Sequence, residues 1–429
     1  MKLTRDIRNS SVPPIYDRDT MHRRALYTNK RRSLQQKIIA ALVWPFLFAA
    51  EDVFTFPKRR TVIGFVLFSA FAGLIFVPGV GSDGYTYASK IYEGFSATEI
   101  REPIPALLIN LARFSGFGYH FYFMLLGLIY AALISWSAYL FFSGLPVNRT
   151  YSTAAVVFML AFFLNHPVFD ALNARYQLGL WVMLLSTILM LKGRWQLSLC
   201  IALVGIMTHF GHSLFSFALV LLLLSRTLGK GQIIFAYVML VVAFSLPSSL
   251  MLSFGDIIAQ KLGGSFADKV SDTVNQAAKI AELTTGGDSK TAWFLRWFVT
   301  PLFYSLLLSG HWLWWKIRKV QRDPQYQLWI LVIIMWALAV AMRGEAEGAA
   351  RVVRNTLALL LLWHARWFLY RRAGEFMALL INIAPMIFYF TIAYRRSLDS
   401  VRIDALLPSF FSYFSVAMPT VEGFFKWFH

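Results

Sequence analysis

Residues 196–225 read QLSLCIALVGIMTHFGHSLFSFALVLLLLS, an almost unbroken apolar run. Lys192 and Arg194 precede it, and Arg226 and Lys230 follow it. Its length of roughly 30 residues fits neither simple solution for a membrane segment. Two full crossings need about 40 residues. One straight helix would be about 45 Å long, well beyond a hydrocarbon core of about 30 Å. Positive charge at both ends favours a third arrangement, because basic residues stay on the cytoplasmic side. The segment enters the membrane, turns within it and returns as two half-helices.

The whole chain supports a membrane setting. Of its 429 residues, 58% are hydrophobic, 17% aromatic and only 15% charged, which a soluble domain rarely shows. The formal charge of +19 points to cytoplasmic loops and anionic lipid. Nucleic acid is not expected as a partner, since the basic residues sit at the ends of apolar runs. A single cysteine, Cys200, excludes an internal disulfide and a cysteine-based metal site. The first apolar run begins only near Ile38, so no cleavable signal peptide is expected.

Charge bias orders the remaining segments. Residues 1–60 read as a basic cytoplasmic tail, with Ile38–Ala50 as an interfacial helix or, alternatively, a buried extra span. Residues 61–429 read as the membrane domain, with outer loops at 81–118 and 251–292. Thr61–Val80 exits, Tyr119–Phe142 returns, Ser152–Pro167 exits and Asn173–Leu191 returns. After the hairpin, Ile233–Leu250 exits into a loop of near-neutral charge. Trp293–Gly310 then returns, placing the basic KIRKVQRD turn inside. Tyr326–Met342 exits, Val352–Tyr370 returns and Phe376–Tyr394 exits. A single crossing at the histidines would invert these loops, so the hairpin fits better. The expected fold is an all-α polytopic helical membrane protein, with about nine to eleven transmembrane helices plus the re-entrant hairpin. Arg395, Arg396 and Arg402 fall outside on this count, against the rule. Either the topology slips there or these arginines serve an anion.

Ionisable groups in a bilayer are costly and mark sites or pathways. On this topology Asp83, Arg101, Glu102, Arg175, His209, His212, Ser213, Arg343, Arg351 and Arg354 gather near the outer face. Several arginines around one cavity point to a phosphate-bearing ligand, because the guanidinium fork pairs bidentately with phosphate. The bland alternative is that each snorkels to headgroups. Arg175 stands out because Asn173 and Gln177 flank it on an otherwise apolar span. His209 and His212 lie one helical turn apart with Ser213 on a shared face. A zinc site would need a third ligand, with His166 the one to recruit, and no metal is expected. DRD at Asp17–Asp19 lies in the tail and is read as chance; GEAEG, with Glu345 and Glu347, is weak as a metal pair.

Order and spacing of these motifs resemble the EpsG group of Wzy-type polysaccharide polymerases, bacterial inner-membrane proteins. The resemblance rests on GSDGYTY with Asp83, Tyr85 and Tyr87, then the Glu102–Pro103 step, then NARYQ around Arg175. The His209–Ser213 stretch follows, and then a late arginine, for which Arg351 and Arg354 compete. It covers roughly Val77 to Trp363. The asparagine and glutamine each stand one place off around Arg175, and the usual single histidine has become two.

The resemblance implies a membrane fold like that of C-type glycosyltransferases, and glycosyl transfer at the outer side of the inner membrane. A glycan carried on undecaprenyl diphosphate would be joined to a second lipid-linked repeat unit, without nucleotide sugar or cofactor. Arg175 with Arg351 or Arg354, and Arg395 or Arg396, would stabilise the departing diphosphate. Asp83, Glu102 or His209 would take the acceptor proton. Tyr87, Gln177, His212, Ser213 and Arg343 would contact substrate. The expected partners are the lipid-linked oligosaccharide, membrane lipid, and a chain-length regulator and flippase of the same pathway. A ligase or a lipid-linked oligosaccharide transporter are the alternatives from other classes.

Overall fold

The computed structural model describes residues 36, 39, 43–59, 62–79, 82–94, 102–143, 152–165, 168–173, 175–247, 293–315, 323–344, 346–370 and 374–397. The basic tail before them, Arg101, His166, Glu345, the 251–292 loop and the segment holding Arg402 and the aromatic tail lie outside the described residues. Every regular element among the described residues is helical. In order they are α1 (Pro45–Arg59), α2 (Ile63–Leu74), α3 (Asp83–Glu93), α4 (Pro103–Ser115), α5 (Gly118–Phe142), α6 (Thr153–Leu164), α7 (Val168–Asn173) and α8 (Arg175–Leu191). There follow α9 (Trp195–Thr208), α10 (Ser213–Ser225), α11 (Gln232–Ser245), α12 (Thr300–Trp314), α13 (Pro324–Ala341), α14 (Ala346–Tyr370) and α15 (Glu375–Ser397). The chain is therefore an all-α membrane protein.

Four stretches are long and apolar enough to cross a membrane: Gly118–Phe142, Phe210–Ser245, Pro324–Ala341 and Glu375–Arg395. The second is not one rod. Gly229, at φ 54° and ψ −113°, breaks it between α10 and α11. Its two ends also lie beside different partners, as the polar ties below show. The first sequence-expected span is shorter as a helix than its apolar run, because α2 stops at Leu74 and the chain to Gly79 is irregular. The loop expected at 81–118 is itself built, holding α3 and α4.

The helix expected at Ile38–Ala50 instead runs to Arg59 as α1. Phe48, Ala49, Val53 and Phe56 are buried, whereas Phe46, Leu47 and Phe54 are exposed. The fully buried Asp52 accepts the Gly64 N–H at 2.7 Å, which fixes α1 to the first turn of α2. Between α2 and α5 the backbones touch. A Cβ on Gly73 would stand 2.1 Å from the Phe123 carbonyl oxygen, and one on Gly127 2.1 Å from that of Ser69. Lipid gives helices no hydrophobic reason to associate, so close approach at small residues supplies the packing.

Polar ties sort the helix ends into two levels. At one, Arg226 donates to the Met190 carbonyl at 2.8 Å, and Gln327 donates to Gln232 at 2.8 Å. At the other, His212 meets the Tyr176 carbonyl at 2.9 Å. So α9 rises from Ser198, hydrogen-bonded to Ser186, towards Tyr176, and α10 descends from His212 to Arg226. Both limbs pack on α8. This is the hairpin expected from charge, with its apex at His209–Ser213 and both ends at the Met190 level. The limbs have 14 and 13 residues, about 20 Å each. From Gln232 beside Gln327 to Ala243 beside Arg343, α11 then runs parallel to α13.

Candidate functional site

The Tyr176 level gathers chemistry from three elements. Tyr176 lies in the first turn of α8, and by helical spacing shares a face with Gly179 and Met183. That face meets the hairpin. His209 ends α9 with extended torsions, φ −158° and ψ 121°. Its Nδ1 accepts the Gly211 N–H at 2.9 Å, so the side chain winds the short 3₁₀ turn that follows. In that state Nδ1 carries no proton and a neutral ring carries it on Nε2.

His212 is fully buried. Its ring stacks on Tyr176, centroids 4.7 Å apart and planes 16° apart. A carbonyl can only accept, so His212 Nε2 donates to the Tyr176 oxygen at 2.9 Å. Its Nδ1 is then an acceptor, buried and with no hydrogen-bond partner among the described residues. Gly179 makes the room: a Cβ there would stand 2.4 Å from His212 Cδ2 and 2.6 Å from Nε2. His209 meets Tyr176 edge-on, centroids 5.4 Å apart.

From α14 comes Arg351, its guanidinium carbon 5.7 Å from the Tyr176 ring centroid. A Cβ on Gly211 would lie 3.4 Å from Arg351 Nη1, which places the cation beside the apex turn. The Tyr176 hydroxyl lies 2.8 Å from the Arg351 carbonyl oxygen and 2.7 Å from Asn355 Oδ1. One hydroxyl hydrogen cannot serve two acceptors. Turning the Asn355 amide, so that it donates to Tyr176 while Tyr176 donates to Arg351, satisfies both.

The structure thus brings together Tyr176, His209, His212 and Arg351, with Ser213 opening α10 beside them. Arg175 is the first residue of α8, and its side chain lies outside the described residues, as does that of Arg396. Arg354 takes a different neighbour, Phe294, its guanidinium 5.8 Å from that ring. Phe294 stacks on Tyr389, whose hydroxyl donates to the Asn165 carbonyl at 3.0 Å. Arg343 donates to the carbonyls of Ala243, Phe244 and Leu246, closing the end of α11. Arg395 is exposed near the end of α15. Gln177 is buried, its Oε1 without a hydrogen-bond partner among the described residues, on the helix face of Trp181 and Leu184. Asp83 is exposed at the start of α3. Tyr87 is buried against Tyr122, centroids 5.9 Å apart. Glu102 is buried at the start of α4, which packs on α5 and α9.

Two residues of this site escape a reading by charge and polarity: Tyr176, inside NARYQ between Arg175 and Gln177, and Asn355, directly after Arg354. Both stood beside residues singled out, which was the available signal. No group of three His, Cys, Asp or Glu side chains that could hold a metal occurs among the described residues.

Fold and site define a class: a helical membrane protein that holds a cation and two imidazoles at the apex of an intramembrane hairpin. The chain matches the EpsG family model over residues 60–414, and it belongs to the EpsG family. Searches of curated proteins and of solved structures return no match. Family membership with the apolar helices supports the general activity of a polysaccharide polymerase in a membrane.

Proposed function

We propose that this chain joins undecaprenyl-diphosphate-linked repeat units into a polysaccharide at the outer side of the bacterial inner membrane. The Tyr176 level is then the outer end, the basic tail is cytoplasmic, and undecaprenyl diphosphate is the leaving group. The observation that carries the reading is the placing of Arg351 beside the hairpin apex, against Tyr176. A fixed cation in a low-dielectric site stabilises charge as it develops on a departing diphosphate.

The step balances simply. An acceptor hydroxyl oxygen forms a bond to the donor's anomeric carbon, the bond from that carbon to the diphosphate oxygen breaks, and the hydroxyl proton passes to a base. Arg351 and Arg175 meet the leaving group. With its Nδ1 engaged by Gly211, His209 serves as an Nε2–H donor to a substrate oxygen, not as the base. The base is then a carboxylate, Asp83 first and Glu102 second. His212, stacked and hydrogen-bonded within the protein, holds the apex. The Arg354–Phe294 unit and Arg395 lie further along as places for glycan or headgroup.

The test is a reconstituted reaction. Purified protein with lipid-linked repeat units should yield a ladder of glycan products. Arg351→Ala and Arg175→Ala should each lower turnover by about 10²–10³, as loss of a charge-stabilising group does. A normal ladder from well-inserted Arg351→Ala protein would refute the assignment. A single block added to a foreign acceptor would make the chain a ligase instead, and movement without new bonds a transporter.

A further inference from the structure

We infer that Tyr176 is a positioning residue, which grips Arg351 at both ends and presents its guanidinium at the hairpin apex. The inference rests on the reading that Arg351 meets the departing diphosphate. The Tyr176 hydroxyl donates to the main-chain carbonyl of Arg351 at 2.8 Å, while its ring lies 5.7 Å from the guanidinium carbon of the same residue. One side chain thus holds the root and the tip of another. An arginine has several rotatable bonds, and freezing them on each encounter with an anion costs affinity. A stacking face that freezes them beforehand removes that cost, and arginine's planar cation suits such a face.

Tyr176 is itself immobilised. His212 stacks on its ring at 4.7 Å and donates to its carbonyl, and His209 closes on it edge-on at 5.4 Å. The ring belongs to α8, the histidines to the hairpin and the arginine to α14, so the three elements converge on it. A residue needed only to join helices would not have to touch the guanidinium. That difference separates positioning from mere packing, and anion affinity reads it.

The experiment titrates full-length protein in nanodiscs with inorganic pyrophosphate, by calorimetry. Tyr176→Met keeps bulk and removes the aromatic face, and about a tenfold loss of affinity is expected. Tyr176→Phe keeps the face and gives up only the hold on the Arg351 carbonyl, so its loss should be the smaller one, about threefold. Arg351→Lys keeps the charge but not the planar cation over the ring, and should fall as far as Tyr176→Met. The double variant Tyr176→Met with Arg351→Ala should bind no more weakly than Arg351→Ala alone. Unaltered affinity in monodisperse Tyr176→Met protein, or losses that add in the double variant, overturns the inference while leaving the diphosphate reading intact. Full affinity in Arg351→Lys does the same, and stays decisive if the methionine variant fails to fold. No binding to the unaltered protein, or no loss in Arg351→Ala, overturns both.

Discussion

The two ends of α8 carry similar side chains and treat them differently. At the Met190 end, Arg226 donates to the Met190 carbonyl and, at 3.4 Å, to Gln327. Gln327 and Gln232 exchange amide hydrogen bonds, and Gln232 also donates to Ser225. Donors there meet acceptors within the protein. At the Tyr176 end, the cation meets an aromatic ring, and two buried acceptors, His212 Nδ1 and Gln177 Oε1, have no hydrogen-bond partner among the described residues. Buried atoms without a partner also occur elsewhere among the described residues, Arg366 Nε and Trp314 Nε1 for example, so the contrast rests on what each cation meets: carbonyls and amides at one end, an aromatic ring at the other. On the proposed function, the first kind of contact completes the fold and the second holds a cation ready for a ligand.

That comparison depends on both hairpin ends lying at one level, and the largest effect is the one that breaks it. In a Cys200→Ser background, Lys192→Cys and Lys230→Cys should both react with an impermeant maleimide from the same side of the membrane. Labelling from opposite sides would dissolve the hairpin and the comparison with it. Gly179→Ala comes next. Its methyl group would press on a His212 ring that Tyr176 already holds, and overpacking of this kind costs about 1–3 kcal/mol. The lowered thermal midpoint should come with lost turnover, since the collision lies at the end proposed as the site. Gln327→Leu should give the smallest effect. It leaves Gln232 and Arg226 each short of a partner, at a cost of about 1–3 kcal/mol before relaxation, with turnover unchanged. A marked fall in turnover there would show that the Met190 end is more than scaffold.

Much of the hairpin was legible because its cause is one-dimensional. Basic residues at both ends and an awkward length, too short for two spans and too long for one, fix where the chain can go. The grouping of the arginines was less legible. Arg343, Arg351 and Arg354 are close in sequence, and charge alone treats them alike. Yet Arg343 closes the end of α11, where a cation also suits the helix dipole, while Arg351 and Arg354 lie over different rings. Which way a side chain points depends on which helix faces its own, and that is set by packing between helices, not by the order of residues along one of them. Gln177 shows the same limit. One residue from Tyr176, it turns about 100° away, towards Trp181 and Leu184. Tyr176 was overlooked because an aromatic in a membrane span reads as packing, and its neighbours carried the polarity.

The shortness of α9 and α10 also bears on how the protein is made. At about 20 Å, neither limb spans the hydrocarbon on its own, so neither is a self-sufficient unit of insertion. On the proposed topology, a hairpin that folds back needs no basic residue to be translocated: Lys192, Arg194, Arg226 and Lys230 would all stay on the side where synthesis occurs. The two limbs can leave the insertion machinery together and dock on α8 as a preassembled wedge. Biogenesis of the apex then depends on α8 already being in place.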